Sequence, residues 1–321
     1  MGTTPEVGCA GILVEDTFCG PMPALPQEGA LVVLEDMVIR PGGCAANVAI
    51  DLAHQGVSVD LAGCVGTDAA GDFLLQTYKT HGIGTSKVVR AQGCRTSQSV
   101  ILLVEGQDRR FLHVRGANQA FSAAHIERPW LAGLKVFYLG GLFVLPGIDF
   151  GDLAALLAFC RRSGVKTVLD VVVPHGVSGM EQLKPLLPLI DVFVPNEDEA
   201  RAFTGVTDPV DQLAAFTRAG AGTVIITRGE HGSVAARGGT VWRCGTYQMN
   251  CIDPSGSGDA FASGIIRGLL LNWDMPRMLR YASALGASVT RAPGTTESVF
   301  SASEAEAFIA AHPLGVTESH G

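Results

Sequence analysis

Long uninterrupted hydrophobic runs are missing from this sequence. The most apolar stretch, residues 136–148, is broken by Gly140, Gly141, Pro146 and Gly147, so it cannot span a bilayer as a helix. The amino terminus also lacks the basic head and continuous apolar stretch of a signal peptide. We therefore expect a cytoplasmic protein with no membrane partner.

Cysteine pairs typical of metal sites are also missing. The eight cysteines form no Cys-x-x-Cys pair, and the eight histidines form no His-x-His cluster. Such scattered cysteines predict free thiols in a reducing compartment rather than disulfides or structural zinc.

Basic residues are too few for a nucleic-acid-binding surface. The 321 residues include 23 Lys and Arg against 31 Asp and Glu, which gives a net charge of −8. Nucleic acids and anionic membranes both require a basic surface, so neither is expected as a partner. An anionic ligand would have to be held by local dipoles and a few arginines.

Short apolar runs rich in β-forming residues alternate with helical patterns along most of the chain. Strands are predicted at residues 58–63, 136–139, 167–173, 191–194 and 223–227. Helices are predicted at residues 45–55, 152–163, 180–189, 197–204, 211–219, 275–289 and 302–311. This alternation is typical of a parallel sheet built from βαβ units.

Two segments, residues 13–40 and 88–117, instead show the period-two alternation of exposed strands. We expect them to pair into a small antiparallel sheet that forms a lid. The α/β core then consists of residues 1–12, 41–87 and 118–321. An open edge of the lid sheet leaves room for a homodimer.

A glycine-rich turn, Gly256-Ser257-Gly258, opens a predicted helix, and Asp259 lies in the first turn of that helix. Backbone amides at a helix start hold phosphate, and an adjacent carboxylate suits a base in phosphoryl transfer. The alternative is an aspartate that only balances the helix dipole. The turn is neither a dinucleotide fingerprint, whose third glycine would fall at Phe261, nor a Gly-Lys-Ser/Thr loop.

Four stretches resemble signatures of the ribokinase-like, or PfkB, carbohydrate kinases, and they span essentially the whole chain. Asp253-Pro254-Ser255-Gly256-Ser257-Gly258-Asp259 resembles the second signature of that family. Residues 40–71 resemble its first signature, residues 195–199 its Asn-x-x-Glu motif and residues 227–232 its Thr-x-Gly-x-x-Gly turn. The resemblance implies a three-layer α/β/α sandwich with a mainly parallel central sheet, and transfer of the γ-phosphate of ATP to a sugar hydroxyl.

The same resemblance implies a role for each matching residue. Asp259 is the implied general base, and the implied anion hole consists of Gly256, Ser257 and Gly258. The implied substrate contacts are Asp16, Gly42, Gly43 and Asn47. The implied contacts to ATP and its magnesium are Asn196, Glu199, Thr227, Gly229 and Gly232. Taken alone, these residues could equally be helix caps, a solvated loop acid and a hairpin entry.

Two cations are implied in addition to the nucleotide. Glu199 would hold Mg²⁺ through water, since magnesium prefers oxygen ligands and keeps several waters. Asp253 and Ser255 match positions that bind a monovalent cation in many relatives. Pro254 replaces the usual threonine there, which leaves potassium dependence open.

The acceptor is the least constrained part of the prediction. Members that hold ribose commonly carry a glutamate where this chain has Gly140-Gly141, so ribose is disfavoured. Fructose, a keto-deoxy sugar acid or a nucleoside remain open. A nucleoside would require aromatic side chains around its base, for which the candidates are Phe18, Phe111 and Phe143.

Arginines of the lid leave a further question about charge. Arg109, Arg110 and Arg115 could contact an anionic substrate, although arginines on exposed strands are more often only solvated.

An alternative function of another class is a catalytically idle protein that senses a sugar or a nucleotide. The intact turn before Asp259 argues against this alternative, because an idle protein would not need the catalytic aspartate.

Overall fold

A computed structural model describes residues 4–107, 109–174, 176, 177 and 179–320. The strands are β1 (Val7–Gly11), β2 (Val14–Met22), β3 (Met37–Gly42), β4 (Val59–Val65), β5 (Gly84–Arg90), β6 (Gln98–Val104), β7 (Arg110–Val114), β8 (Val136–Gly140), β9 (Lys166–Leu169), β10 (Val192–Phe193), β11 (Thr223–Thr227), β12 (Ser233–Arg237), β13 (Thr240–Cys244) and β14 (Val316–His320). The helices are α1 (Cys44–His54), α2 (Ala69–Thr80), α3 (Arg128–Ala132), α4 (Phe150–Arg162), α5 (Met180–Leu183), α6 (Glu197–Thr204), α7 (Pro209–Arg218), α8 (Ser257–Leu270), α9 (Met275–Val289) and α10 (Ala302–Ala311).

The large sheet has the strand order β14-β13-β12-β11-β10-β9-β8-β1-β4-β5. Neighbouring strands from β11 to β5 in that order pair in parallel, and β12, β13 and β14 extend the sheet in antiparallel fashion. Helices α1, α2, α8 and α9 pack their apolar residues on one face. Helices α3, α4, α6 and α7 cover the other, so the predicted α/β/α sandwich is confirmed.

The small sheet has the order β3-β2-β6-β7 and forms the lid. Both outer pairs are antiparallel, whereas β2 and β6 in the middle run parallel. A parallel pair fits the chain path, because β2 and β6 are joined through α1 and α2 of the core rather than by a hairpin. Residues 88–90 lie in β5 of the large sheet and residues 41 and 42 in β3 of the lid, which shifts the predicted boundaries slightly. Residues 1–3 and 321 of the predicted core lie outside the described residues.

Two predicted elements end earlier than expected. The predicted helix 180–189 stops at Leu183, because Pro185 and Pro188 cannot donate the backbone hydrogen bonds that would continue it. The predicted strand 167–173 stops at Leu169. From Asp170 onward the chain leaves the sheet, and the apolar residues that follow line a cleft instead of pairing with a neighbouring strand.

No helix that the described residues form is long and apolar enough to cross a bilayer. All eight cysteines are free, as their scattered positions predict.

Candidate active site

A cleft of about 910 Å³ lies between the lid and the carboxyl edge of the parallel strands. Asp170 follows β9, Asn196 follows β10 and Thr227 ends β11, and all three line the cleft. Asp16 of β2 lines it from the lid side. Open α/β sheets place their ligands at this edge, and the predicted site residues therefore meet where the topology favours a site.

Helix α8 begins at the glycine-rich turn. Gly256 precedes the helix with a φ of 78°, a left-handed conformation that favours glycine, and a Cβ there would collide with the carbonyl oxygen of Thr295. No side chain caps the helix. Gly258 has open space where a Cβ would point, and Gly256, Ser257 and Gly258 all line the cleft. The first amides of α8 could therefore bind an anion there.

Asp259 is held beside this turn by α1. Asn47 Nδ2 donates a hydrogen bond of 2.7 Å to Asp259 Oδ2, and the Cys44 thiol donates another to the same carboxylate. Thr295 Oγ1 lies 2.9 Å from Asn47 Oδ1 and orients that amide. Burial raises the pKa of Asp259 above its ordinary value, and the hydrogen bonds from Asn47 and Cys44 oppose the rise. A carboxylate so placed can accept a proton from a hydroxyl bound in the cleft.

Two other carboxyl groups on the cleft wall are also shifted toward protonation. Burial raises the pKa of Asp16 to about 6, opposed by a hydrogen bond from Ser99 and reinforced by the charge of Asp259. Burial raises the pKa of Asp170 well above its usual range, and the charges of Glu199 and Asp259 add to the effect. A bound cation or hydroxyl donor would favour the charged forms of these groups.

Asp170 is fixed by its neighbours. Tyr138 donates its hydroxyl at 3.0 Å to Asp170 Oδ2, and the backbone amide of Val171 lies 2.7 Å from Oδ1. The oxygens of Asp170 and Asp259 and the sulfur of Cys44 all lie within 4.8 Å of one another. Several carboxyl groups therefore lie close together in this part of the cleft, and a bound cation would favour their charged forms.

Asn196 and Glu199 open α6 as a reciprocal capping pair. Asn196 Oδ1 accepts from the Glu199 amide at 2.8 Å, and Glu199 Oε2 accepts from the Asn196 amide at 2.9 Å. Both side chains also line the cleft. Burial and the charge of Asp259 raise the pKa of Glu199. The helix-cap alternative is thus correct in structural terms, and it places both residues where a metal-nucleotide complex could contact them.

A second cavity of about 310 Å³ adjoins the cleft. Gly232 lies on its wall with a φ of 78°, and a Cβ there would collide with the carbonyl oxygen of Cys244. The rim shared by the cleft and the second cavity consists of Thr227, Gly229, Pro254, Ser257 and Gly258. A long ligand could therefore lie in both cavities and pass over the start of α8.

The predicted cation residues lie just before the turn. Asp253 is 1% exposed and Ser255 is 4% exposed. Asp253 accepts hydrogen bonds from the backbone amides of Ser255 at 2.9 Å and Gly294 at 3.1 Å. The buried Ser255 hydroxyl has no hydrogen-bond partner among the described residues. Buried polar atoms are usually paired, so this oxygen is available to a ligand.

Of the predicted substrate contacts, only Gly42 is absent from the cleft wall. Asp16 lies within strand β2 rather than in a solvated loop after the first strand. Gly42 lies behind it, and a Cβ at Gly42 would overlap the Asp16 carboxylate, so this glycine makes room for the acid. Gly43 lines the cleft and precedes α1 with a φ of 92°.

The aromatic sandwich suggested for a nucleoside does not form. Phe18 is 2% exposed in the core, and Phe143 packs against Phe150 and Phe203. Only Phe111 among the candidates lines the cleft. Phe18 and Phe143 are therefore not placed to stack on a base in the cleft, so these candidates give the nucleoside alternative no support.

Sequence reasoning missed Cys44, Asp170, Ser99 and Thr295. Asp170 could have been found, because it follows a buried strand at the edge where sites form. The others carry no local signal, since their roles depend on contacts such as that between Thr295 and Asn47, which are 248 residues apart.

A helix start that can hold an anion, within reach of a base, is the arrangement that phosphoryl transfer requires. The chain matches the family model described as pfkB family carbohydrate kinase over residues 14–302. The ATP-dependent 6-phosphofructokinase of Thermoanaerobacterium thermosaccharolyticum is 26% identical over 258 residues, covering 79% of this chain and 80% of that protein. A ribokinase of Haemophilus influenzae is 28% identical over 278 residues, covering 84% and 88%.

The structure of Arabidopsis thaliana ribokinase complexed with ribose and ATP shares the fold, with a TM-score of 0.81 at 20% identity. The match covers 96% of this chain and 99% of that one. This chain therefore belongs to the pfkB family of carbohydrate kinases. The predicted ribokinase-like fold and the predicted class of enzyme, a sugar kinase, are confirmed.

Proposed function

We propose that the protein transfers the γ-phosphate of ATP to a hydroxyl of a sugar derivative, with Asp259 as the general base. The hydrogen bond between Asn47 and Asp259 carries this proposal. It joins a residue at the acceptor end of the cleft to a carboxylate at the anion-binding start of α8. Base and anion hole thus lie side by side at the start of α8 and face the same cleft.

Polar side chains that line the cleft orient the acceptor. Asp16 accepts hydrogen bonds from its hydroxyls, and Asn47 steadies the reacting end. Asp259 takes the proton of the attacking hydroxyl of the acceptor, while the oxygen of that hydroxyl forms a bond to the γ-phosphorus. The bond from that phosphorus to the β–γ bridging oxygen breaks, and ADP leaves. The amides of Gly256, Ser257 and Gly258 hold the charge that develops on the transferring group.

The nucleotide lies across the shared rim. Its base and ribose occupy the second cavity beside Gly232, and its phosphates pass Thr227 and Gly229 toward α8. The size of the second cavity, about 310 Å³, is at the lower end of the range usual for small-molecule sites. This leaves the larger cleft to the acceptor and the γ-phosphate.

The residues around Asp170 suit magnesium. Glu199 and Asp170 present carboxylate oxygens to the cleft, and magnesium prefers oxygen ligands with several waters retained. The rise in the pKa of Asp170 comes partly from neighbouring negative charge, which a divalent cation would relieve. When bound, the metal neutralises charge on the phosphates.

Asp253 and Ser255 are proposed as ligands of a monovalent cation such as K⁺. The Ser255 hydroxyl, which has no hydrogen-bond partner among the described residues, supports this proposal, and the site lies directly before the anion hole. A cation there would stabilise the conformation of the turn that presents the amides of α8.

The direct test is ADP formation with Mg²⁺-ATP over a panel of hexoses, sugar acids, sugar phosphates and nucleosides, with and without K⁺. We expect ADP release that depends on a sugar-derived acceptor and increases with K⁺. Turnover with nucleosides alone would favour the nucleoside alternative. Acceptor-independent binding of ATP without turnover would favour the idle sensing protein and contradict the proposal.

We further propose a homodimer through the outer face of the lid. In the register of the sheet, Ile39, Thr17, Val100 and Leu112 form one row across it. Leu112 is 62% exposed and Ile39 is 46% exposed, and contiguous exposed apolar surface marks interaction sites. Sedimentation velocity should show a dimer that Leu112→Glu shifts toward monomer. A wild-type protein that sediments as a monomer at all concentrations would exclude this interface.

The free cysteines support a reducing compartment such as the cytoplasm. Recovery of the native protein from cells with cysteines joined as disulfides would contradict that placement.

A further inference from the structure

Strand β7 and the residues that flank it present one row of side chains to the cleft. The residues of this row follow one another at every second position, and they are Arg109, Phe111, His113 and Arg115. Successive side chains of a strand point to opposite faces, which explains why Arg110, between two of them, is absent from the cleft wall. The cleft face of this segment therefore carries two guanidinium groups and an imidazole.

The imidazole of His113 is hydrogen-bonded to a polar side chain of the neighbouring lid strand β6. His113 Nδ1 lies 3.0 Å from Ser99 Oγ, and Ser99 in turn hydrogen-bonds to Asp16. Burial and the charge of Arg115 lower the pKa of His113, so this ring is neutral near pH 7. The cationic groups that the row offers to a ligand are therefore the guanidinium groups of Arg109 and Arg115.

The two arginines lie on a different segment of the chain from the acids that line the cleft. Arg115 makes no ion pair with any of the described residues. The guanidinium of Arg109 lies over the ring of Phe111, 5.5 Å from the ring centroid. One face of the guanidinium is therefore covered by the aromatic ring. The acids that line the cleft all lie on other elements, at Asp16, Asp170, Glu199 and Asp259. Charge in the cleft is thus divided: the acids lie on the core and on the inner lid strand β2, and the two arginines flank the outer lid strand β7.

The separation of the two ends fits a small acceptor. Asp16 lies opposite Ser99 in the register of β2 and β6, and Ser99 lies opposite His113 in β6 and β7. Two strand spacings separate Asp16 from this row by about 10 Å. A compound with one hydroxyl at Asp259 and others at Asp16 would extend its far end toward Arg109 and Arg115.

From this division of charge we infer that the acceptor is an anionic sugar derivative, a sugar acid or a sugar phosphate, whose charged group binds Arg109 and Arg115. Guanidinium groups bind carboxylate and phosphate in a bidentate manner. A neutral sugar would bring no charge complementary to these cations. The inference rests on the proposed kinase function and specifies its substrate class.

The test compares matched acceptors that differ mainly in charge, namely D-fructose against D-fructose 6-phosphate and D-glucitol against D-gluconate, each with Mg²⁺-ATP. We expect higher kcat/KM for the anionic member of a pair. Arg109→Ala and Arg115→Ala should each lower kcat/KM for that anionic acceptor about 10- to 100-fold, as expected for the loss of one hydrogen bond to a charged group. Most of the loss should appear in KM, because these groups lie far from the reacting centre.

Arg110→Ala is the matched control, because it removes an arginine next to Arg109 in the chain whose side chain is absent from the cleft wall. It should leave the preference for the anionic member unchanged. A higher kcat/KM for the neutral members, or a preference for the anion that survives both Arg109→Ala and Arg115→Ala, overturns the inference. Failure of the kinase proposal would look different, since no acceptor, anionic or neutral, would then be phosphorylated by the wild-type protein, or Asp259→Asn would leave the turnover of every acceptor unaffected.

Discussion

Replacement of Asp259 by asparagine is expected to reduce kcat by about 10²- to 10⁴-fold, the usual contribution of a general base. The substituted amide would keep an oxygen that can accept the hydrogen bond of Asn47 Nδ2, which is now 2.7 Å long. It could not accept a proton from the acceptor hydroxyl. Affinity for ATP and for the acceptor should therefore change little, and steady-state kinetics with calorimetric binding would separate the two effects.

Asp72→Asn is a suitable control for this experiment. Asp72 also lies in the first turn of a helix, α2, but it pairs with Arg90 at the surface and lies outside the walls of both cavities. The Asp72→Asn variant should retain wild-type kcat, because Asp72 contacts neither cavity. It should also stay folded, because an exposed ion pair contributes at most about 1 kcal/mol to stability. Near-normal kcat in Asp259→Asn would remove Asp259 from the mechanism.

The second large effect is expected from two glycines of the same turn that differ in their surroundings. Gly256→Ala should lower the free energy of unfolding by at least about 2 kcal/mol, because the residue adopts a positive φ and its Cβ meets backbone. Gly258→Ala should leave stability within about 0.5 kcal/mol of the wild type or raise it, since its Cβ meets nothing within 4 Å. Chemical denaturation would measure both changes.

The kinetics of the Gly258→Ala variant should change even though its stability does not. The added Cβ in Gly258→Ala would occupy the space above the first amides of α8, so a stably folded variant should have a higher KM for ATP and a lower kcat. A Gly258→Ala enzyme with wild-type kinetics would show that the phosphates do not approach this turn. Wild-type stability of Gly256→Ala would contradict the strained geometry assigned to the start of α8.

The sequence predicted those elements whose limits are set by local chemistry. Helices 197–204, 275–289 and 302–311 have the predicted bounds. The first two follow polar caps at Asn196 and Asp274, and the third follows Ser301. Such capping signals lie within a few residues of the helix start, so they are readable without knowledge of the fold. The start of α8 was also predicted from a local pattern, the glycine-rich turn before it, and anion binding there stays a prediction.

Contacts between distant segments could not be predicted in this way. Asn47 and Asp259 are 212 residues apart. A resemblance to whole-chain signatures assigned both residues to one site, but nothing in the sequence indicated the hydrogen bond between them. The parallel pairing of β2 with β6 and the hydrogen bond from Cys44 to Asp259 had no signal at all. Both depend on how the lid and α1 pack on the core rather than on local propensity.

The central claim is phosphoryl transfer from ATP to a carbon-bound hydroxyl, and phosphorus-31 NMR of the reaction mixture tests it most directly. With enzyme, Mg²⁺-ATP and the best acceptor, the spectrum should show ADP and a sugar phosphate monoester appearing in equal amounts. Formation of ADP with inorganic phosphate in place of the monoester would contradict the account.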